Sequence, residues 1–429
     1  MVRKVFVALF RVLGALPLFA AKYYIDPNLG VDVRTKTQAQ LFYYPWKHIQ
    51  TGIDSANVGD TISLADAPFP ESITITKRIC IFGRVSTVSI INYPASAGTG
   101  TVVTIAPGVD GVYLKNLAID GRYQFANGAL NGVVCGVGVD SLRMTSCAIR
   151  NCGASGVLAS FDATADGAVN EGFHIENCSF QNILAGQGTA LHSCAIWGDH
   201  LSHAYIRANT FYKCGIGIWI SGTTYPDTSA GTGNVISSNA IHDLTQNGLI
   251  AAGIYNSVID SNVVERCAGF IRPDSAWSRM YVGSVSFVGG ATNVTMIDNV
   301  VRDNNGYIGI DTFYTDQVAD TVETPGYNGW PGMFFRGSDT VVIHHGSIFG
   351  NNFGGMYISG NAPHVTIDSC FFYSNGNLND SNEDYAISAP FAKVDARSNW
   401  WGVSTGPVFD GNGVGNGIYG DSITVDPVM

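Results

Sequence analysis

Three side chains stand out for the chemistry they could do: Arg272, Asp274 and Asp311. Arg272 and Asp274 lie in the segment RPDSAWSR (272–279). An arginine beside a sugar could abstract a proton only if its pKa were strongly depressed, which is a demanding requirement. The plainer reading is a structural Arg272–Asp274 pair. Hydrolysis of a glycosidic bond needs two carboxylates at a set separation. Acidic residues are plentiful in the irregular stretches: Asp162, Asp199, Asp227, Asp274, Asp311, Asp316, Asp320 and Glu323. Asp311 draws attention because it ends a strand-like run where a long insert begins. Each of these carboxylates could equally solvate a turn or loop. In WGDHLSHAYI (197–206), Asp199, His200 and His203 could act as acid and base or hold a metal. Their irregular setting favours neither, and no metal site is expected.

Aromatic residues accompany the acids: Trp197, Tyr225, Trp277, Tyr281, Phe313, Tyr314, Tyr327 and Trp330. Aromatic, acidic segments with few lysines suit neutral, hydroxyl-rich ligands. Rings stack on sugars, and carboxylates accept hydroxyl hydrogen bonds. Trp219, Tyr357, Trp277 and Trp330 are the candidate ligand-binding residues. The competing reading is that such rings pack the inserts onto the body.

The elements that would position these residues are repeats. The stretch YIRANTFYKCGIGIWI (205–220) has counterparts in HIENCSF (174–180), NVISSNAI (234–241), SVIDSNVV (257–264), VTMIDNVV (294–301), VVIHHGSI (341–348), VTIDSCFF (365–372) and KVDARSNWW (393–401). The pivot position holds Cys147, Cys178, Asn209, Asn239, Asn262, Asn299, Gly346, Cys370 and Asn399. The pivots are 31, 31, 30, 23, 37, 47, 24 and 29 residues apart. A near-constant core with variable inserts is a solenoid signature. The pieces are β-branched and alternate apolar with polar residues, so they read as strands. Stacked coils place equal positions about 4.8 Å apart. Asn at a stacked corner can bond to the amides above and below and tolerates left-handed geometry.

This pattern resembles the right-handed parallel β-helix proteins of the pectin-lyase-like superfamily, over roughly residues 23–429. The resemblance implies an all-β fold: one single-stranded right-handed parallel β-helix with a short N-terminal capping helix. That fold carries lyases, hydrolases, epimerases, adhesins and viral tailspikes, so it does not choose a function. Of the hydrolase signatures of the superfamily, NTD, an adjacent Asp-Asp in that setting and RIK are absent; the one His-Gly pair, His345-Gly346, lies at a repeat pivot. The epimerase-type Asp-Pro-His is absent too. A lyase of this kind would often use calcium held by carboxylates, but no cofactor is indicated.

Two functions follow as expectations. One is an extracellular or virion-surface appendage, tailspike-, fibre- or adhesin-like. It would bind a polysaccharide or cell-surface glycan and assemble as a homotrimer or within a larger virion or surface assembly. The other is a secreted polysaccharide lyase or glycoside hydrolase.

Composition supports the body plan. Charged residues are 13% and Gly numbers 51, as expected for many tight turns around an apolar interior. The net charge of −11 and the lack of a basic run argue against nucleic-acid binding. The nine cysteines contain no CxxC, so buried free thiols are expected.

Residues 1–22 read as a leader, either a signal peptide or an assembly-docking segment; Arg11 interrupts its apolar run, which is too short for a membrane span. Pro45–Ala56 reads as the capping helix, with Trp46, Ile49 and Ile53 on one face. Trp400 and Trp401 are expected to plug the last coil. Long inserts near 160–172, 184–204, 222–234, 272–292, 311–339 and 376–392 place lateral loops between about 121 and 392, and they are expected to leave from one common strand edge. Aligned on their small turns, Val157, Ile218, Leu249, Phe270, Tyr307 and Met356 should face inward. Leu158, Trp219, Ile250, Ile271, Ile308 and Tyr357 should face outward. An outward stripe so apolar should be covered by the chain's own loops, a partner copy or a sugar.

Overall fold

The computed structural model describes residues 20–95, 97–123, 128–160, 169–184, 193–223, 230–267, 283–288, 290–304, 332–336, 339–351, 354–359, 364–375, 385–390, 392–402, 406–409, 417–420 and 422–426. Among these, the chain winds through three parallel sheets in fixed rotation. Sheet 1 has 14 strands and begins at Lys22–Ile25; sheet 2 has 11 and begins at Pro68–Pro70; sheet 3 has 13 and begins at Ile73–Ile75. Every pairing between named strands is parallel, and each strand pairs with its counterparts one coil before and after. This is the expected right-handed parallel β-helix.

Alternation within the short strands builds the core. In sheet 3, Val157, Ile196, Ile218, Leu249, Val285, Met333 and Met356 occupy one register column and are buried. The expected inward positions Val157, Ile218, Leu249 and Met356 are therefore as read. Two positions are not. The places expected for Phe270 and Tyr307 belong to Val285 and Met333, because sheet 3 is continued by Val285–Val288 and Met333–Arg336. Phe270, Ile271, Tyr307 and Ile308 lie outside the described residues. Short apolar runs next to a small turn look alike in sequence, and only pairing registers them.

The corner from sheet 1 to sheet 2 is a two-residue turn. Its second residue is the pivot. Asn239 is typical: its Nδ2 donates to Ile206 O (2.9 Å) and Asn262 Oδ1 (2.9 Å), and its Oδ1 accepts from Asn209 N (3.0 Å) and Nδ2 (3.1 Å). The ladder runs Asn209, Asn239, Asn262, Asn299, and Cys178 N joins its end through Asn209 Oδ1. The left-handed conformation expected of the pivot falls one residue earlier. Ser146, Asn177, Ala208, Ser238, Ser261, Asp298, His345, Ser369 and Ser398 have φ of 52–61°. The turn bends at that exposed residue so that the pivot side chain can point inward.

A second ladder fills the corner from sheet 2 to sheet 3. Cys152, Cys214 and Cys267 lie there, and Asn304, Asn351 and Asn375 continue it through 2.9–3.0 Å amide contacts. All nine cysteines are free, and eight are buried.

Inserts were expected to leave one edge. Instead, segments 185–192, 268–282, 305–331 and 376–384 precede sheet 3 strands, whereas 161–168 and 224–229 follow them. Sheet 3 is thus bordered by inserts at both ends. From Cys147 to Asn399, the corner between sheets 1 and 2 carries none; its buried ladder leaves no room.

The N-terminal cap is helix α2 (Ile49–Ser55), shorter than the expected Pro45–Ala56 and preceded by a helical turn α1 (Lys36–Ala39) that the sequence reading missed. Ile49 and Ile53 are fully buried over the first coil. Glu71 accepts from the N–H groups of Ile49 (2.9 Å) and Gln50 (3.2 Å), answering donors a helix start leaves open. Trp46 lies before the helix; it stacks on Tyr23 at 5.0 Å and donates to Arg34 O at 2.8 Å.

At the other end, Trp401 is buried against Phe372 (5.1 Å), as a plug should be. Trp400 does not share that role. It faces out, 46% exposed, because adjacent strand residues point to opposite faces.

Candidate functional site

The outer face of sheet 3 gathers the features that bear on function. One outward column reads, coil by coil, Leu158, Trp197, Trp219, Ile250, Ser286, Phe334, Tyr357 and Ser388. Leu158, Trp219, Ile250 and Tyr357 stand in the outward column as the alternation requires. Trp197 stacks on Trp219 at 5.3 Å and 10° between planes; Phe334 stacks on Tyr357 at 5.8 Å and 4°. With Cys194, Ile216, Val288 and Ala252 they form a second apolar cluster, separate from the interior core. Trp219 is only 8% exposed. Its column is one ring high per coil, so Trp219 gives a face to Trp197 and little of the ring reaches the surface. Trp197, read from sequence as a loop aromatic, belongs to the strand Cys194–Gly198. The shared run Ile-Trp in CAIWG and IGIWIS was the signal for it.

A polar rim runs beside the rings. Ser221 lies two residues past Trp219 on the same strand and so shares its side; Asp199, in the turn just after the strand Cys194–Gly198, is held there by a hydrogen bond from Ser221. Ser221 Oγ donates to Asp199 Oδ1 at 2.6 Å, and His200 Nδ1 lies 3.0 Å from that oxygen. Asp199 N donates to Ala159 O at 3.2 Å, which ties its backbone to the preceding coil. An imidazole held on one nitrogen by a carboxylate is suited to proton transfer or to sugar hydroxyls.

His203 does not join this group. Its Nδ1 pairs with Glu171 Oε1 at 2.7 Å, and both side chains are exposed. The Asp199–His200–His203 grouping of the sequence is thus two separate pairs. No cluster able to hold a metal ion occurs among the described residues.

More carboxylates stack at the corner where sheet 3 passes to sheet 1. Asp110 Oδ1 accepts from Asp140 N (3.2 Å), and Asp140 Oδ1 from Glu171 N (3.0 Å). Partial burial, with the charges of Asp110 and Glu171, raises the Asp140 carboxyl above its ordinary range. In contrast, Arg336 is the one charged residue in the named strands of sheet 3.

The remaining candidates, Arg272, Asp274, Trp277, Asp311 and Trp330, lie outside the described residues. Their segments enter strands Val285–Val288 and Met333–Arg336, so both join the solenoid at the corner between sheets 2 and 3. The run before Asp311 was read as a sheet 3 strand; Met333–Arg336 holds that place.

Residues 131–372 match the family described as right handed beta helix region. No curated protein matches the chain in sequence. Similar solved structures include the A-module of mannuronan C-5 epimerase AlgE6 of Azotobacter vinelandii, with 14% identity and a TM-score of 0.60 over 89% of this chain and 95% of that one. The AlgE4 A-module of the same organism gives 14% and 0.59, covering 94% of this chain and all of that one (100%). Tailspike protein 3 of bacteriophage CBA120 gives 12% and 0.55 over 94% of this chain, but 61% of the tailspike. At these identities the likeness is one of fold. The family match spans more than half of the chain, and three rotating parallel sheets run through the same residues: the chain belongs to the right-handed β-helix family.

Proposed function

We propose that this chain is a glycan-binding β-helix appendage of an extracellular or virion surface, tailspike- or adhesin-like, whose partner is a polysaccharide or cell-surface glycan. The carrying observation is the Trp197–Trp219 column beside Asp199, His200 and Ser221, on a face bordered by inserts at both ends. The rings supply apolar contact, and the carboxylate and hydroxyl supply hydrogen bonds. Tyr357 extends the same column, and Trp277 and Trp330 would add rings from the adjoining segments. Solved proteins of this fold named as a polysaccharide epimerase and a tailspike are consistent with this reading. The assembly is a homotrimer or part of a larger particle, and residues 1–22 serve as its docking segment or as a secretory leader. No helix among the described residues is long and apolar enough to cross a membrane.

The test is a glycan panel with the full chain and Trp219→Ala, together with the native mass and the N-terminal residue. Binding that falls at least tenfold in Trp219→Ala, with circular dichroism unchanged, supports the reading. Binding unaffected by Trp219→Ala, or a stable monomer with a cleaved leader, counts against the corresponding part.

A second reading is favoured by the Asp199–His200 pair: a polysaccharide lyase or glycoside hydrolase, with Arg272, Asp274 and Asp311 as further catalytic candidates. Release of unsaturated or reducing ends, lost in His200→Ala, Asp311→Asn or Arg272→Ala, would establish it.

A further inference from the structure

We infer that the segment in front of helix α2, residues 27–44, is the surface through which copies of this chain associate. It gives the proposed homotrimer its contact, and it rests on that part of the reading alone. The glycan site is separate: the coil of Trp197 lies five coils along from the first strand, roughly 24 Å away. Three observations carry the inference.

The first is exposed apolar area. Among the described residues, eight large apolar side chains are at least half exposed. Six of them, Leu29, Val33, Leu41, Phe42, Tyr43 and Tyr44, fall within one short segment. Phe42 packs edge-on against Tyr24 (5.5 Å) and Tyr43 (5.4 Å). Arg34 lies 5.6 Å from the Tyr44 ring and donates to Leu29 O at 3.4 Å, so the two halves of the segment meet. The six present roughly 700 Å², taking about 150–250 Å² for a fully exposed aromatic side chain and less for Leu and Val. The largest patch on an ordinary monomer is about 300–600 Å², and each partner in a standard interface gives about 800 Å².

The second is that the segment is braced to hold these side chains out. Its polar groups turn inward. Asp26 Oδ1 accepts from Asn28 N (2.8 Å) and Leu29 N (3.0 Å), and Asp32 Oδ1 accepts from Lys47 N (2.9 Å) and His48 N (3.1 Å). Arg34 Nη1 donates to Pro45 O (2.7 Å), and Trp46 Nε1 donates to Arg34 O (2.8 Å). Gly30 presses on the Trp46 backbone so closely that a Cβ would meet its carbonyl oxygen at 2.2 Å. A surface fixed in advance loses little conformational entropy on association.

The third is charge. Residues 20–60 carry four Lys and Arg against four Asp, in a chain of net charge −11. Copies therefore meet at this end with less like-charge repulsion than their totals imply. Both signs border the patch, with exposed Lys22 and Lys36 beside the partly exposed Asp26 and Asp32, so one copy can match another. The rival occupant is the chain's own residues 1–19. They hold three basic residues and no acid, and would bring like charge to Lys22 and Lys36.

The experiment is sedimentation equilibrium of the full chain, unaltered and as Val33→Asp and Tyr43→Asp, with circular dichroism as the folding check. Both side chains are more than four-fifths exposed, so the solenoid tolerates the changes. Self-association weakened at least about tenfold in both variants supports the inference. Val33→Cys gives a second reading in a chain whose own cysteines are nearly all buried. Its thiol should react with a maleimide at least about tenfold more slowly in the oligomer than in the diluted monomer. Oligomers unchanged in both aspartate variants, or equal thiol rates in the two states, overturn the inference and leave the homotrimer reading with another contact. A full chain that stays monomeric overturns both. In that monomer, a slowly reacting Val33→Cys thiol would assign the patch to residues 1–19, and a fast one would leave it open.

Discussion

Replacing Asn239 by alanine tests whether the buried amide ladder holds the coils together. The side chain is fully enclosed and makes four hydrogen bonds. Two partners keep another bond after truncation: Asn262 Oδ1 still accepts from Asn239 N, and Asn209 Nδ2 still donates to Ile175 O. A third, Ile206 O, keeps its ladder bond from Ser237 N. Only Asn209 N–H is left without an acceptor, which costs about 1–3 kcal/mol. A small void adds to this, giving an expected loss of about 2–4 kcal/mol. Cysteine at the same position should recover part of it, because Cys370 Sγ accepts from Gly346 N at 3.3 Å and Cys178 Sγ reaches Glu176 O at 3.3 Å. The assay is denaturant unfolding combined with hydrogen exchange at Asn209 and Ala240, since a solenoid can open locally without unfolding throughout. A loss below about 1 kcal/mol for Asn239→Ala, with the Asn209 amide still protected, would refute the reasoning.

Two further predictions concern charge and thiols. The Arg266 guanidinium, bonded to Asp243 at 2.7 and 2.9 Å, holds the Asp243 carboxyl down to about 2 from an ordinary 3.8. A depressed folded pKa stabilises above the unfolded value, so this contribution is present above about pH 4 and lost as pH falls toward 2. Asp243 is 36% exposed, and screening reduces its worth to no more than about 1 kcal/mol. In unfolding curves taken across that range, Arg266→Gln should lower stability at neutral pH and flatten the acid-side decline; an unchanged decline would discount the pair. Burial pushes the thiols of Cys214 and Cys370 up to about 12, and it also raises that of the half-buried Cys80. A thiol reagent at neutral pH should therefore find at most one slow cysteine in the native chain and all nine in denaturant. Fast labelling of several native thiols would show that the ladders open readily.

The repeat was legible because each coil must solve the same packing problem. The pivots from Cys147 to Asn399 stand where the sequence spacing put them, and their buried amides require that kind of residue. Val157, Ile218, Leu249 and Met356 face inward because alternation in a strand leaves no other choice once one residue is placed. The exposed turn residue with positive φ was harder to find, since Ala208, Ser238 and His345 share no side-chain chemistry. Only the backbone geometry marks them.

What the chain alone determined was periodic: strand type, the Asn and Cys pivots, the presence of an N-terminal capping helix and the low charge of the body. Tertiary pairing decided the rest. It chose Val285 and Met333 over Phe270 and Tyr307, because register depends on neighbours one coil away and not on local pattern. It separated His200 from His203 and turned Trp400 outward while burying Trp401. It stacked Trp197 on Trp219 across 22 residues of sequence and set Asp199 and Ser221 beside them. A solenoid converts distance along the chain into a coil spacing of about 4.8 Å, and that conversion happens only when the coils close.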